Sequence, residues 1–354
     1  MKYLVELRFD HVVHFGSSAA GFGVEEVDDT CHSDTLFSGI INQLATVEHL
    51  IPHFSLKNFI EEFDSLKPPF QISSFGLVKD TDYFLPKPLL EPAVFTAEPL
   101  LAEYRKEFNK LKWFHLEDFH KWQNKLLSGS DIKKYFESYS NQPPPKAPSF
   151  YKTLTKAQHA QDRETEATQL YHVGQLFYAD EVYPFFLVDF NSENLSWEWF
   201  KEALRLLGIS GLGGRRSSGY GKFTLRYEPI LIGNDESQWP KEVRETTRHR
   251  KAIELWNKVL SHESEGRYLF SLLKPKVINE NDYLAYHLLI RKGWFFSNSS
   301  FYQMKRKTVY MFSEGSIFSK PIEGELLNIS PDELPEEHHE IYRYGHPFTI
   351  PFSV

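Results

Sequence analysis

The sequence predicts a fold of the α+β class, with a larger first unit and a smaller second unit. Residues 2–14 alternate between apolar and polar side chains, as a strand does, and a helical pattern of apolar residues follows Cys31. A helix and a strand then flank a glycine-rich loop at 208–222. The order of these elements matches a ferredoxin-like (RRM-like) βαββαβ domain with helical and β-hairpin insertions. We predict this domain over residues 1–228, and a second, strand-rich RRM-like domain over 229–354.

The composition predicts a cytoplasmic protein with a hydrophobic core. The 354 residues are 41% hydrophobic and 16% aromatic, and the formal net charge is −8. A negatively charged chain contacts nucleic acid only through a locally basic surface. The single cysteine, Cys31, excludes an internal disulfide and suits a reducing compartment. We expect no signal peptide, because the start MKYLVELRFD is charged, and no membrane span, because no apolar run approaches ~20 residues.

The first strand and the first helix are predicted from the spacing of their apolar residues. The strand has one apolar face, and its other face is polar, with Glu6, Arg8 and Asp10. Ser33 or Asp34 caps the helix that follows. The buried face of this helix is formed by Leu36, Phe37, Ile40, Ile41 and Leu44.

The middle of the first unit contains the predicted insertions. Residues 70–90 are predicted as a hairpin, and residues 98–140 as a helical insertion. NQPPPKAPS at 141–149 is predicted as an extended connector, because its prolines exclude a helix or a central strand.

Residues 150–182 carry two apolar flanks around a polar tip, which predicts a thumb-like hairpin. The tip contains Lys156, His159 and Arg163. It is either a solvated tip or an arm that reaches an RNA or a protein partner. A buried strand at 182–190 follows.

The glycine-rich loop at 208–222 is the main candidate for a binding element. We expect the helix before it to end at Gly208 and a strand to begin at Lys222. Nucleotide-cofactor sites have the reverse order, strand then loop then helix, because the phosphate lies at the helix N-terminus. The observed order therefore argues against a nucleotide cofactor.

The residue types in this loop indicate a polyanionic ligand. Glycines allow backbone N–H groups to face a ligand, and arginine binds phosphate with two parallel hydrogen bonds. The basic and hydroxyl side chains that we expect to contact phosphate are Arg215, Arg216, Ser217, Ser218 and Lys222. The alternative is a mobile surface loop without a ligand.

The second unit is predicted to begin with a charged helix at 242–260, followed by several strands. The cluster Lys305 to Lys307 is a candidate RNA-facing patch. Residues 321–340 contain seven acidic residues and no Lys or Arg, so this segment cannot face phosphates. It is either a solvated loop or a docking surface for a basic partner. The final segment, IYRYGHPFTIPF, is predicted to return to the sheet as a last strand.

Five segments resemble those of one protein family and occur in the same order. They are HSDTLFSGI (32–40), YFLPKP (83–88), QDRETEATQLYHVGQLFYA (161–179), GLGGRRSSGYGKF (211–223) and YRYGHPFTIP (342–351). The family is the RAMP superfamily of CRISPR proteins and, within it, subunit four of the type III-A (Csm) effector complex. The glycine loop marks the superfamily, whereas SDTLFS and YFLPKP make the resemblance specific. It covers nearly the whole chain, apart from residues 98–145 and 321–340.

The resemblance implies a non-catalytic RNA-binding subunit that acts in antiviral defence. It would hold the repeat-derived 5′ handle of the guide RNA (crRNA) and contact the large polymerase-like signature subunit, a backbone RAMP subunit and, near the base of the complex, the target RNA. The thumb would kink the RNA where the handle meets the guide.

Carried over position by position, the resemblance assigns RNA contacts to the loop, to the first-strand exit, to the helix start and to the thumb. The loop residues are Gly211, Gly213, Gly214, Arg215, Arg216, Ser217, Ser218, Gly219, Tyr220, Gly221 and Lys222. The others are His14, His32, Ser33, Lys156, His159 and Arg163.

Two other functions stay open from the sequence. Some members of this superfamily cut repeat RNA without a metal, using a histidine as general acid or base. His14 and His32 lie near that position, although no second acid–base partner occurs at a fixed spacing. The second open function is that of a structural adaptor whose glycine loop binds protein instead of RNA. Tyr220 either stacks on a base or packs within the loop, and we expect no enzymatic activity, metal or cofactor.

Overall fold

We analysed a computed structural model, which describes residues 1–17, 24–97, 101–139, 150–161, 168–233, 235–297, 300–332, 334 and 339–354. Helices and mostly antiparallel sheets occur together, so the predicted α+β class is confirmed. The predicted connector at 141–149 and the predicted contact residue Arg163 lie outside the described residues. No helix in the described ranges has both the length and the apolar character to cross a bilayer.

The first unit contains the strands of the main sheet and of the thumb. These strands are β1 (Lys2–Phe9), β2 (Val24–Glu25), β3 (Phe70–Ile72), β4 (Gly76–Lys79), β5 (Asp82–Pro86), β6 (Trp113–His115), β7 (Tyr151–Gln161), β8 (Thr168–Tyr178), β9 (Val182–Phe190), β10 (Phe223–Leu225) and β11 (Ile230–Leu231). The helices of the chain are α1 (Ser33–Val47), α2 (Leu56–Glu61), α3 (Val94–Ala97), α4 (Ala102–Lys110), α5 (Leu116–Gln123), α6 (Gly129–Tyr139), α7 (Trp197–Ser210), α8 (Lys241–Arg244) and α9 (Thr247–Leu260).

The main sheet has the strand order that the βαββαβ pattern requires. Its path is β10-β1-β9-β4-β5-β6, and each of these neighbouring pairs is antiparallel. The first four strands are the ferredoxin-like core, because α1 follows β1 and α7 connects β9 to β10. The hairpin predicted at 70–90 is formed by β4 and β5, while β3 pairs separately with β9. The helical insertion adds β6 to the far edge of the sheet.

Both faces of the main sheet are buried. α1 and α7 cover one face with apolar side chains such as Ile40 and Leu204. The second unit covers the other face, where the Trp256 ring packs edge-on against Tyr83 and Phe185. The polar side predicted for β1 is therefore partly wrong: Glu6 is buried and accepts a hydrogen bond from Arg226. The centre of this sheet therefore offers no open aromatic face for stacking bases.

The thumb is a long antiparallel hairpin of β7 and β8, as predicted for residues 150–182. β2 adds a parallel strand to β8, and an isolated antiparallel bridge joins Val13 to Leu176 at the base of the thumb. The thumb is thus attached to the exit of β1.

The second unit consists of short strands in four small sheets. The strands are β12 (Arg267–Leu269), β13 (Tyr283–Ala285), β14 (Leu288–Arg291), β15 (Trp294–Ser297), β16 (Ser300–Lys305), β17 (Val309–Phe312), β18 (Ile317–Phe318), β19 (Leu326–Asn328), β20 (Tyr342–Tyr344) and β21 (Thr349–Pro351). One sheet has the order β13-β18-β12-β21, and the others are the pairs β14-β17, β15-β16 and β19-β20. The last segment forms two strands rather than one, and β21 returns to β12.

The domain boundary placed after residue 228 stays a prediction. β11 lies beyond it and still pairs with β1, and α9 packs against the first unit through Trp256. The two units therefore share one hydrophobic cluster.

Candidate nucleic-acid interface

The glycine-rich loop connects α7 to β10, and several of its residues have positive φ angles. Positive φ angles occur at Gly211 (86°), Gly213 (94°), Arg215 (60°), Gly219 (83°) and Gly221 (74°). The preceding helix ends at Ser210, so the predicted end at Gly208 is wrong. Gly208 lies within α7, and a glycine is needed there because a Cβ would stand 2.3 Å from the Phe223 carbonyl oxygen.

The glycines allow the loop to pack against the exit of β1 and against itself. A Cβ on Gly213 would lie 2.5 Å from the His14 carbonyl oxygen, and one on Gly221 would lie 2.0 Å from that of Leu212. The Gly214 N–H donates to the same His14 oxygen at 2.8 Å, and the Leu212 N–H donates to the Gly221 oxygen at 2.9 Å. Several N–H groups that the sequence assigned to a ligand are therefore used inside the protein. The side chains provide the outward surface.

The polar side chains of the loop face outward, and one of them contacts the thumb. The guanidinium of Arg215 lies 5.2 Å from the ring centre of Tyr171 in β8, and its Nη1 donates to the Tyr171 hydroxyl at 3.3 Å. The loop and the thumb thus form one continuous surface. The exposed loop side chains are Arg216, Ser217, Ser218 and Lys222.

Tyr220 packs within the loop. Its side chain is only 7% exposed, and its hydroxyl accepts a hydrogen bond from Gln175 Nε2 in β8. Of the two alternatives for Tyr220, the structure shows the packed one, and we do not assign base stacking to it.

Two of the thumb residues proposed from the sequence are exposed. Lys156 and His159 both lie on β7, opposite Val173 and Leu170 of β8. Their side chains are available to a ligand that follows the thumb.

His14 and Ser33 lie inside the protein. The His14 Nδ1 is 2.7 Å from the Gly174 carbonyl oxygen. The Ser33 hydroxyl accepts a hydrogen bond from the Leu272 N–H at 3.0 Å, which joins α1 to the second unit. These contacts indicate positioning roles, which differ from the direct RNA contacts that the resemblance implied.

His32 is also buried and forms an ion pair with Glu314, with 2.8 Å between Nδ1 and Oε1. Burial lowers the pKa of His32, but the charge of Glu314 and a contact with Asp28 outweigh it and raise the pKa to about 10. Burial raises the pKa of Glu314, but the His32 imidazolium lowers it below its ordinary value. His32 is therefore charged at neutral pH, whereas a general base requires a neutral imidazole.

A basic cleft of about 290 Å³ lies between the glycine loop, the N-terminal half of α1 and the second unit. The only acidic residue among its described lining residues is Asp34. We call this site the arginine cleft. Its cationic side chains are Arg216, Arg291, Lys292, Arg306 and Arg343.

The cleft has more positive charge than Asp34 can compensate. Arg291 donates from Nε and Nη2 to the two Asp34 oxygens, both at 2.9 Å, and Arg343 donates to Asp34 as well. Burial raises the pKa of Asp34, but Arg291 and Arg343 lower it well below the usual range, so it is ionised. Among the described residues no carboxylate forms an ion pair with Arg306, and burial, then the neighbouring Arg343, lower its pKa, although the charge of Asp34 opposes them. An arginine nevertheless stays protonated in proteins.

Two guanidinium nitrogens in the cleft have no hydrogen-bond partner in the described part of the chain. They are Nε of Arg306 and Nε of Arg343, and both are buried. Buried polar groups in native proteins are normally paired, so unpaired donors in a basic cleft indicate an anionic ligand.

Sequence reasoning identified only part of this cleft. Arg306 was found within the Lys305 to Lys307 cluster, but Arg291, Lys292 and Arg343 were missed. For Arg291 and Lys292 a signal was available, because residues 283–313 include five Lys or Arg and no acidic residue. The other two members of the cluster have different partners: Lys305 lies over the Trp294 ring and Lys307 pairs with Asp332.

Comparison with known proteins agrees with the resemblance found in the sequence. The model of the CRISPR Csm4 C-terminal domain matches residues 262–352. The curated Csm4 protein of Methanocaldococcus jannaschii is 22% identical over 401 residues, covering 100% of this chain and 98% of its own length. The Csm4 protein of Streptococcus thermophilus is 22% identical over 361 residues, with 100% of both chains covered.

Two solved structures share the fold over nearly the whole chain. A chain of the Csm3-Csm4 subcomplex of a type III-A interference complex matches with a TM-score of 0.62 and 18% identity, covering 99% of each chain. A chain of a Csm1-Csm4 cassette matches with a TM-score of 0.55 and 17% identity, covering 99% of this chain and 98% of its own. The resemblance found in the sequence is confirmed: this chain is similar to Csm4 proteins of type III CRISPR complexes over its whole length, and its residues 262–352 match the Csm4 C-terminal domain.

Proposed function

We propose that this protein is a non-catalytic RNA-binding subunit of a type III-A CRISPR interference complex. Its ligand is the repeat-derived 5′ handle of the guide RNA, and its site is the arginine cleft together with the glycine loop. The arginine cleft carries the proposal, because it gathers five cationic side chains around one carboxylate that is already engaged.

Phosphate groups fit the unpaired donors of this cleft. Arg306 and Arg343 each offer a buried Nε–H without a protein acceptor in the described residues. A phosphate oxygen supplies both an acceptor and a negative charge, and charge-assisted hydrogen bonds of this kind are about twice as strong as neutral ones. Arg216 brings the glycine loop to the same site.

The loop and the thumb extend the proposed path of the RNA. From the cleft, the strand would pass Ser217 and Ser218 and then follow the thumb past Lys156 and His159. The contact between Arg215 and Tyr171 connects these two parts of the surface. At the thumb the RNA would bend where the handle meets the guide.

Sequence discrimination requires contacts to base edges, because phosphate contacts fix only the position of a strand. Thr35, Ser38 and Asn42 line the arginine cleft along α1 and carry hydrogen-bonding side chains. They are the residues on this surface that would read handle bases.

The solved relatives support the proposed partners. Those structures are a Csm3-Csm4 subcomplex and a Csm1-Csm4 cassette. We propose that this chain likewise joins a backbone subunit to the large polymerase-like subunit, near the target RNA at the base of the complex. This antiviral assembly would act in the cytoplasm, where a free thiol such as that of buried Cys31 stays reduced.

Salt dependence of RNA binding tests this function. The variant Arg216→Gln/Arg306→Gln would be assembled with the sister subunits, and guide-RNA binding would be measured by filter retention between 50 and 300 mM salt. On a single strand each lost phosphate contact lowers the slope of log K against log salt by ~0.7, so we expect a decrease of about 1.4. The control Arg248→Gln/Arg250→Gln removes two arginines of α9, outside the cleft, and should leave the slope unchanged.

Two outcomes would overturn the proposal. An unchanged slope and affinity in the cleft variant, with the complex intact, would favour the protein adaptor. Specific cleavage of repeat RNA by the purified protein in EDTA, lost in His32→Gln, would show a metal-independent endoribonuclease. The buried His32–Glu314 ion pair argues against that enzyme.

A further inference from the structure

The arginine cleft has two walls of different chemistry. The second unit and the glycine loop supply its cations, whereas the wall formed by α1 consists of Asp34, Thr35, Ser38, Gly39 and Asn42. Asp34 is the only charged residue among the 15 of α1, and two arginines already bind its carboxylate. Phosphates are attracted to the cationic wall, whereas uncharged polar side chains are suited to base edges. A nucleotide held in the cleft would therefore turn its base toward α1.

Thr35 is already engaged within this wall. Its hydroxyl donates to Asp34 Oδ1 at 3.3 Å and accepts from Arg291 Nη2 at 3.2 Å. Thr35 thus belongs to the ion-pair network that orients the arginines. The side chains of the α1 wall that remain for a base are those of Ser38 and Asn42, which lie one helical turn apart on the same face.

The carboxamide of Asn42 is exposed, and one hydrogen bond fixes its orientation. Its Nδ2 donates to the Ser38 carbonyl oxygen at 2.7 Å. Because a carbonyl oxygen can only accept, this contact identifies the nitrogen and places Oδ1 at the other position of the carboxamide. Within the described ranges no group donates to Oδ1, and Nδ2 retains a second hydrogen. Asn42 therefore offers one acceptor and one donor to a ligand.

The helix itself gains little from this asparagine. Asn42 lies in the middle of α1, where asparagine is a poor helix former. Side chains that bond to the backbone of their own helix compete with its regular hydrogen bonds, so they are neutral or unfavourable there. The free acceptor and donor of Asn42 line the same cleft as the buried, unpaired Nε groups of Arg306 and Arg343. Both observations indicate a ligand that carries phosphate and hydrogen-bonding groups together.

We propose that Asn42 recognises an adenine of the handle. Its Oδ1 accepts from the N6 amino group, and its Nδ2 donates to the neighbouring ring nitrogen. Adenine presents N6 beside N7 on one edge, which is the pattern that asparagine pairs with, whereas guanine presents two acceptors, O6 and N7, that suit arginine. In single-stranded RNA the Watson–Crick edge, with N6 beside N1, is accessible as well. This proposal rests on the proposed function, because it takes the handle as the ligand and the cationic wall as the phosphate site.

The test compares guide RNAs that differ by one amino group. Each handle adenosine in turn would be replaced by purine riboside, which lacks the N6 amino group. Filter retention by the assembled complex would be measured for wild type and for Asn42→Ala. A good bidentate base contact discriminates by about 5- to 100-fold. We expect one position at which purine riboside weakens wild-type binding by about this factor, and at that position Asn42→Ala should bind both RNAs equally.

Two controls accompany this comparison. Asn58→Ala removes an exposed asparagine of α2, outside the cleft, and should discriminate between the two RNAs as wild type does. Alanine is the best helix former, so Asn42→Ala should keep the melting curve of wild type.

Three outcomes would overturn the proposal. The first is that no handle position shows discrimination by wild type, and the second is that Asn42→Ala discriminates as strongly as wild type. The third is that the effect of Asn42→Ala disappears with a 2′-deoxy substitution instead of purine riboside, which would show a sugar contact.

The cleft variant separates this proposal from the proposed function. A lowered salt slope in Arg216→Gln/Arg306→Gln without adenine discrimination contradicts only the role of Asn42. An unchanged slope and affinity in that variant contradict the RNA site itself.

Discussion

Arg291 forms a bidentate ion pair with Asp34, although the two residues are 257 positions apart in the chain. Both hydrogen bonds measure 2.9 Å, and both side chains are at least nine-tenths buried. Arg343 donates to the same carboxylate. One aspartate at the start of α1 therefore attaches the first unit to two strands of the second and orients one wall of the arginine cleft.

Loss of this carboxylate should destabilise the protein and make its stability depend on RNA. Asp34→Asn leaves two buried arginines without their counter-charge, and removal of one partner of a buried ion pair typically costs about 3–5 kcal/mol. Guide RNA should restore part of the loss, because its phosphates compensate the same arginines. Thermal denaturation with and without RNA measures both effects. The matched control Glu91→Gln removes the carboxylate of an exposed Arg105 pair, which should cost only about 0–1 kcal/mol; an equal loss in both variants would contradict the role of Asp34.

Two glycines of the loop should differ in their tolerance of a side chain. Both have positive φ. A Cβ on Gly221 would lie 2.0 Å from the Leu212 carbonyl oxygen, whereas a Cβ on Gly219 would have no neighbouring atom within 4 Å. Gly219→Ala should cost about 1 kcal/mol from the backbone conformation alone. Gly221→Ala should cost clearly more, since the loop must also move. Urea denaturation of the two variants compares them, and equal midpoints would show that the close packing is not important.

Replacement of the Tyr220 ring should not affect RNA binding. A base stacked on an aromatic ring contributes ~1–3 kcal/mol, so its loss weakens affinity about fivefold to a hundredfold. Because Tyr220 is packed, we expect Tyr220→Leu to change the dissociation constant for guide RNA by less than twofold. Filter binding by the assembled complex measures it, with a melting curve as control for folding. A loss of tenfold or more in a folded variant would restore the stacking role.

The His32–Glu314 pair should make stability depend on pH in the alkaline range. The pKa of His32 is raised from its ordinary value of 6.5 to about 10 in the folded protein. Its stabilising contribution is therefore complete below pH 6.5 and decreases as the pH rises toward 10. The free energy of unfolding of wild type should fall over this range more steeply than that of His32→Asn. Parallel slopes in urea titrations at pH 6.5, 8 and 9.5 would contradict the ion pair. Glu314, whose pKa is lowered, should lose its contribution only as the pH falls through its acidic range.

Much of the main sheet could be predicted because its signals are local. The alternation in β1, the apolar spacing in α1 and the helix–loop–strand order around Gly211 each occupy a short stretch of sequence. The end of α7 was misplaced because Gly208 is a common helix terminator, whereas here its missing Cβ permits contact with Phe223. Only the tertiary structure reveals that contact.

The candidate site was harder to predict because its residues come from distant parts of the chain. The glycine loop was identified by composition, but its partners Arg291 and Arg343 lie in short strands with no pattern of their own. The burial of His14 and Ser33 depends on the thumb and on Leu272, which local sequence does not indicate.

The packing of Trp256 against Tyr83 and Phe185 has a consequence for biosynthesis. A nascent chain that ends at residue 228 would expose the rings of Tyr83 and Phe185 to water, because Trp256, which packs against them, is translated later. The ribosome must therefore finish α9 and the strands that follow before the first sheet is fully protected. Because the two halves share this packing, they should unfold in one cooperative transition.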